Sequence, residues 1–424
     1  MSSSKKDLLV FRTGRIGRLE LKNRLVRSAT YENGATPHGE VTGPLVDLYR
    51  KLGQGGVGLI ITGITAVMAK AHSPHRSMLI DEDDKIPGLK KIADAVHGLG
   101  NGCKIMLQLH HPGRQIIKAE DAPRLMPYFP PALLAIRQRS TENPPPGQNP
   151  PSEPPRLPDP VAPSAVPDTL FGRTPKELSL EEIEEIIEAF ARGIGRAEEA
   201  GFDGVQLHAA HGWLLSSFLS PHTNKRQDEY GGSTENRLRM VKEIIERGRT
   251  RVGSDFPILI KINTTDFFPD GTDLEETAKV ALLLKDIGFA AIETSGGMWE
   301  TVARGEKELG WPAYLLPESR TQINNMDQEA YFFPGAERVK RQTGLPVLLV
   351  GGLKSLPKIE EVLQTGMVDF ISLARPLIRQ PGLPNLWLSG QGPEKAACIS
   401  CNACIAAGET LLGCKQLEVK PKTT

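Results

Sequence analysis

Eight short apolar runs recur along the chain, each followed by a stretch with helical periodicity, and this repetition limits the fold more than any other feature. The runs are NRLVRSA from Asn23, GLIITG to Gly63, KIMLQL to Leu109, GVQL to Leu207, ILIKI to Ile262, AAIET to Thr294, VLLV to Val350 and FISLA to Ala374. They are rich in β-branched residues and largely apolar at successive positions, as strands covered on both faces must be. Strands alternating with helices imply a parallel sheet. No G-x-G-x-x-G follows the first run, so an α/β chain forming a closed (β/α)8 TIM barrel is expected rather than an open doubly wound sheet. Chemistry in such a barrel belongs at the C-terminal ends of the strands.

The clearest helix opens at Ser179, with Glu182 placed for a capping box. Ile183, Ile186, Ile187, Phe190 and Ile194 then form one apolar stripe at helical spacing. Residues 117–160 break the rhythm: the segment is dense in proline and carries no sustained periodicity. It reads as a long insertion after the third strand, leaving the catalytic end as a lid or substrate wall. The barrel is assigned to residues 1–392, and a cysteine-containing tail to residues 393–424.

Lysine plus arginine and aspartate plus glutamate each number 51 in 424 residues, so no strongly basic face is expected for nucleic acid or an anionic membrane. A small-molecule substrate is the expected partner, with homo-oligomerisation left open. Neither a signal peptide nor a membrane span is legible, which points to the cytoplasm.

His208 and His211 directly follow the fourth run, where both imidazoles can reach a barrel cavity. They can be metal ligands, structural histidines or two donors to one substrate oxygen; no H-E-x-x-H helix accompanies them, and their position favours the donors. Gly351 and Gly352 follow the seventh run, and Ala374 and Arg375 the eighth, the place where many barrels bind phosphate. Lys261 and Gln108 interrupt apolar strands. Buried amides and ammonium groups need partners, so both are expected to grip one polar ligand, the alternative being bonds to nearby backbone.

The block HAAHGWLLSSFLSPHTNKRQDEYGGSTENRLRMVKEII resembles the signature of the old yellow enzyme family of flavin oxidoreductases, the broad group that includes 2,4-dienoyl-CoA reductase. The likeness runs in order from LKNRLVRSATYE through LQLHHPGRQ, PVAPSAVPD and LVGGL to SLARPLI. It implies non-covalent FMN in the barrel, with phosphate at Gly351, Gly352, Ala374 and Arg375 and the flavin ring near Gln108 and Lys261. Ser28, Ala29, Thr30 and Tyr31 match the segment beside the flavin, and Gly63 or Ile64 matches a backbone contact.

The resemblance makes His208 and His211 the pair that holds a substrate carbonyl, and implies ping-pong hydride transfer from NAD(P)H through flavin N5 to an α,β-unsaturated carbonyl compound. Where relatives carry a tyrosine that donates a proton, this chain has Trp213, whose indole is a hydrogen-bond donor without useful acidity. Trp213 reads as an apolar wall of the substrate pocket, leaving Tyr31, Tyr128 or solvent to supply the proton. The departure keeps open a flavin dehydrogenase or demethylase that oxidises its substrate, and a flavin-binding protein without catalysis. A flavin-free barrel lyase with Lys261 as Schiff-base lysine is the reading from another class.

Four of the five cysteines, Cys398, Cys401, Cys404 and Cys414, crowd into the tail; Cys103 lies apart and reads as core. The tail cluster resembles the segment that ligates a [4Fe–4S] cluster in one branch of the family. Zinc and free thiols are the other readings.

Overall fold

The computed structural model describes residues 5–74, 76–131, 157–314, 316–404 and 411–418. Eight parallel strands form the barrel: β1 (Leu25–Arg27), β2 (Leu59–Ala66), β3 (Lys104–His110), β4 (Val205–Ala209), β5 (Ile258–Asn263), β6 (Ala291–Ser295), β7 (Val347–Leu349) and β8 (Phe370–Leu373). Each pairs with its neighbour in sequence, and Ile371 of β8 stands opposite Leu25 of β1, which closes the cylinder. All eight fall within or overlap the apolar runs. β2 runs on past Gly63 to Ala66 because the register against β3 shifts between Ile61 and Ile64, absorbing the glycine in an irregularity.

Helices α1 (Gly43–Gln54), α2 (Ile86–His97), α3 (Leu180–Glu199), α4 (Thr234–Val252), α5 (Leu274–Ile287), α6 (Phe333–Thr343) and α7 (Leu356–Gln364) cover the outside, with three short helices after β8 among the described residues, Arg375–Arg379, Leu383–Ser389 and Lys415–Glu418. In α3 the Ser179 hydroxyl accepts the Glu182 N–H at 3.2 Å and the Glu182 carboxylate accepts the Ser179 N–H at 3.0 Å, the capping box read from sequence. Its stripe from Ile183 to Ile194 is buried against the barrel.

Inside the barrel, the residues two apart on each strand change character along the axis. Val26, Leu59, Met106, Leu259, Leu348 and Phe370 form an apolar cluster at the N-terminal end, separate from the outer core. Ile16 and Leu21, from an antiparallel hairpin of Gly14–Ile16 with Leu19–Leu21, join that cluster and plug the bottom. Two residues further along the strands come Ser28, Gln108, Lys261 and Ser372, together with Gln206 and Glu293, all buried. Alternation at period two thus puts an apolar floor below a polar layer.

The proline-rich insertion is described only at its ends, and residues 132–156 lie outside the described residues. Its first part contains short helical turns, Ala119–Asp121, Ala122–Leu125 and Met126–Tyr128, too brief to show periodicity in sequence. The tail is pinned to the barrel's C-terminal face. Leu356 N–H donates to Glu394 at 2.7 Å, Ala396 N–H to Lys354 at 2.8 Å, and Leu412 N–H to Glu32 at 2.7 Å. Among the described residues no helix is long and apolar enough to cross a membrane.

Phe190 of α3 has no exposed surface. Phe190→Ala is expected to cost about 3–5 kcal/mol through lost burial and a residual cavity, read as a lowered midpoint in urea denaturation.

Candidate active site

A cavity of about 610 Å³ opens above the polar layer, within the range of about 300–1,000 Å³ usual for small-molecule sites. Its wall includes residues from the ends of β1, β3, β4, β5, β6, β7 and β8.

Its base is a hydrogen-bonded chain across the barrel. Gln108 of β3 donates to Gln206 of β4 at 2.7 Å, and Gln206 donates to Glu293 of β6 at 3.0 Å. Glu293 also accepts the Ser28 hydroxyl at 2.8 Å and stands 3.3 Å from the ammonium of Lys261, which donates to Ser28 at 3.1 Å. Burial alone would raise the Glu293 carboxyl; the Lys261 cation, with Ser372, Ser28 and Gln206, outweighs it and holds the group below the usual carboxylate range. Lys261 thus has its counter-ion in the barrel and still lines the cavity, as Gln108 does. Glu293 and Gln206 escaped the sequence reading because a single polar residue in an apolar run shows no partner until the strands are placed in register.

His208 lies on β4 and His211 just beyond it, with ring centroids 5.1 Å apart and planes nearly perpendicular. Burial first, then neighbouring positive groups including Lys261, hold both imidazoles well below their ordinary range, so each is neutral and offers one N–H. Nδ1 of His208 is buried without a hydrogen-bond partner among the described residues. His211 has φ +64, a left-handed conformation costly for a residue with a Cβ. Its backbone N–H donates to Asn263 Oδ1 at 3.0 Å, and its Nε2 lies 2.7 Å from Ser295 Oγ. The two nitrogens sequence reasoning aimed at one oxygen therefore differ: one is unpartnered, the other is engaged by a serine that also lines the cavity.

Trp213 packs its ring edge-on 4.5 Å from His110 and 5.2 Å from Trp299. With Leu125, Leu316 and Phe129 the two indoles make one apolar side of the cavity. Ile117, Lys118 and Leu157, from the described ends of the insertion, continue that side. Gln115 lines it as well, and neither polar atom of its amide has a partner among the described residues.

At the opposite end stand Gly352, Ala374 and Arg375 together with Lys354. Gly352 has φ +75, and a Cβ there would lie 2.7 Å from the Tyr331 ring, so the turn after β7 requires glycine. Arg375 donates to the Arg320 carbonyl at 2.7 Å and to Asn402 Oδ1 at 2.6 Å, and Lys354 to the Cys398 carbonyl at 3.1 Å.

Of the residues singled out from sequence, Ser28, Ala29, Thr30, Tyr31, Ile64, Gln108, His208, His211, Trp213, Lys261, Gly352, Ala374 and Arg375 all line this cavity. Gly63 and Gly351 do not. The Gly63 N–H donates to Glu32 at 2.8 Å, and a Cβ there would lie 2.6 Å from the Thr30 carbonyl, so this glycine anchors the loop after β1. The Tyr31 hydroxyl donates to Asn33 at 2.7 Å, and burial with the neighbouring Glu32 charge raises its pKa, which weakens it as an acid.

Cys398, Cys401, Cys404 and Cys414 line a second, small cavity of about 20 Å³, and Cys404 and Arg375 border both cavities. Burial, and then the neighbouring thiols against the pull of Arg375, push the Cys404 thiol up to about 12. Among the described residues, no group of three or more His, Cys, Asp or Glu side chains is placed to hold a metal ion.

A closed (β/α)8 barrel with a polar cavity at the C-terminal strand ends, neutral histidines on one wall and cations on the other defines a ligand-binding barrel of the enzyme type. Residues 10–390 match the NADH:flavin oxidoreductase / NADH oxidase family. The NADH oxidase of Thermoanaerobacter brockii is 34% identical over 93% of this chain and 52% of its own length. The NADPH dehydrogenase of Geobacillus sp. (strain WCH70) is 32% identical over 89% of this chain and 93% of its own length. The structure of a 2-naphthoyl-CoA reductase complex superposes with a TM-score of 0.78 at 24% identity, covering 97% of this chain and 56% of that one, a likeness of fold. The chain belongs to the NADH:flavin oxidoreductase / NADH oxidase family, the old yellow enzyme group its signature block resembles. It spans about half the length of the first curated relatives it matches.

The ion pair in the barrel yields a stability test. Lys261→Met leaves Glu293 buried and unpaired, an expected loss of about 3–5 kcal/mol in chemical denaturation that Lys261→Met with Glu293→Gln largely recovers. Because Glu293 is depressed in the folded state, its contribution is present above the unfolded carboxylate pKa and is lost as pH falls through the lower folded value. The acid limb of the stability profile should therefore flatten in the double variant.

Proposed function

We propose that this chain is an FMN-dependent NAD(P)H oxidoreductase that reduces α,β-unsaturated carbonyl compounds or related conjugated substrates in alternating half-reactions. The observation that carries the reading is that Lys261 and Gln108, held by the barrel's polar layer, face the same cavity as two neutral histidines. When bound, FMN supplies a hydride carrier that accepts from a reduced nicotinamide at N5 and delivers to the substrate's β-carbon.

The residues present fit that group. The Lys261 ammonium and the Gln108 amide would meet the polar edge of the ring, and a cation there favours an anionic reduced form. Gly352, Ala374 and Arg375 would meet the phosphate, since a guanidinium has five donors and Arg375 uses few of them on protein. The unpartnered amide of Gln115 and the free nitrogen of His208 are buried polar groups that a ligand would satisfy. His208 and His211 would hold the substrate oxygen, stabilising the negative charge that grows on it. Trp213, Trp299 and the ends of the insertion would exclude water and accept a flat apolar body. Names of relatives, an NADH oxidase and an NADPH dehydrogenase, support a nicotinamide as reductant.

We also propose that the four tail cysteines hold a [4Fe–4S] cluster. The four thiols line one cavity, in a segment that resembles the cluster-ligating one of the iron–sulfur branch, and this supports that reading.

Anaerobically purified protein should show an FMN spectrum that NADH or NADPH bleaches. His208→Ala with His211→Ala should keep FMN while weakening phenolic ligands and enone turnover by at least about a hundredfold; loss of FMN with unchanged phenol affinity would contradict the assignment. Iron and acid-labile sulfide should be found at about four each per chain, and their absence would return the cysteines to free thiols.

A further inference from the structure

Reduction of an enone needs a proton as well as a hydride, and the Trp213 indole cannot supply one. The cavity nevertheless holds a carboxyl that no role so far uses. Glu318, between β6 and α6, lines the cavity with 17% of its side chain accessible. Its Oε1 lies 3.9 Å from Nδ1 of His211, and its Oε2 has no hydrogen-bond partner among the described residues. The Tyr331 hydroxyl donates to the Glu318 main-chain carbonyl at 2.8 Å, which fixes the backbone under the carboxyl.

We propose that Glu318 is the general acid of this site, delivering to the substrate's α-carbon the proton that an indole cannot. The assignment rests on the flavin reading above. The α-carbon is one bond from the carbonyl carbon, so a donor beside the histidine that holds the oxygen is within reach of it. The Trp213 ring lies 6.1 Å from that of His208. The competing acids are weaker: burial raises Tyr31 and Tyr331, and both histidines are held neutral. Burial pushes the Glu318 carboxyl up to about 7 against the pull of Lys261 and Arg375, so a protonated form persists at neutral pH.

The step balances. Hydride taken from the reduced flavin forms the C–H bond at the β-carbon, and the C=C π pair shifts to the α-carbon. That pair takes the proton from the Glu318 O–H bond, leaving a carboxylate that water reprotonates. The substrate gains two electrons and the flavin loses two. The groups facing Glu318 are His211 after β4, Lys261 on β5, Tyr331 on its own segment and Arg375 after β8.

The test uses holoenzyme, anaerobic rapid mixing and 2-cyclohexen-1-one as oxidant, with Glu318→Gln, Glu318→Asp, and Glu318→Gln combined with Trp213→Tyr. Bleaching by NADPH or NADH should be unchanged in Glu318→Gln, while reoxidation by the enone slows about 10²–10⁴-fold. In the wild type reoxidation should fall as pH rises through the carboxyl's range. That dependence should vanish in Glu318→Gln and persist in Glu318→Asp, and the added tyrosine should restore the rate. In ligand-free protein, infrared difference titration should show a protonated carboxyl near neutral pH that Glu318→Gln lacks. Wild-type reoxidation and pH profile in Glu318→Gln, or no carboxyl band sensitive to that substitution, overturns the assignment alone. A wild-type flavin that neither nicotinamide bleaches overturns the flavin reading and this assignment with it.

Discussion

The ion pair between Lys261 and Glu293 is the interaction on which the rest of the site depends. A lone charge in a barrel core would carry a desolvation cost that the surrounding packing could not offset. The barrel meets it with a crossing set of partners from β1, β3, β4, β5 and β6, each contributing one inward residue. Because the same strands pack apolar residues below this layer, the polarity of the interior changes abruptly along the axis. The cavity therefore has a floor already supplied with fixed dipoles and charge, the condition under which electrostatic groups act without reorganising.

Above the floor the site is divided. One side is aromatic and aliphatic, built by Trp213, Trp299 and the described ends of the insertion. The other is cationic, built by Lys354 and Arg375 on the loops after β7 and β8. His211 sits between them in a left-handed backbone conformation, held by Asn263 and Ser295 from two neighbouring strands. Strain of this kind persists only where the surroundings over-determine a position, and here two strands do so.

Much of this was legible in the sequence, for a physical reason. Strands buried on both faces must be apolar nearly throughout, so the eight runs stood out, and the capping box at Ser179 was readable because its partners are local. The cavity-lining positions were found where a motif or a misplaced polar residue marked them, as with Lys261, Gln108 and His208. Glu293, Gln206 and Asn263 were missed because their partners come from other strands, and a register is invisible in one chain. Glu318 was missed because it lies in an irregular segment with no period to read. Of the pair Gly63 and Ile64, Ile64 lines the cavity while the Gly63 N–H is taken by Glu32, a contact sequence spacing does not report.

The tail completes a pocket that the cylinder alone leaves open on one side. Ser400, Cys404 and Leu412 are part of the cavity wall, and Arg375 is tied to Asn402 rather than to the barrel strands. All three wall residues are made after the last strand of the cylinder. The cylinder therefore carries the floor and the histidines, while one side of the pocket belongs to the tail: a chain shortened before Ser400 would keep the first two and lack that side.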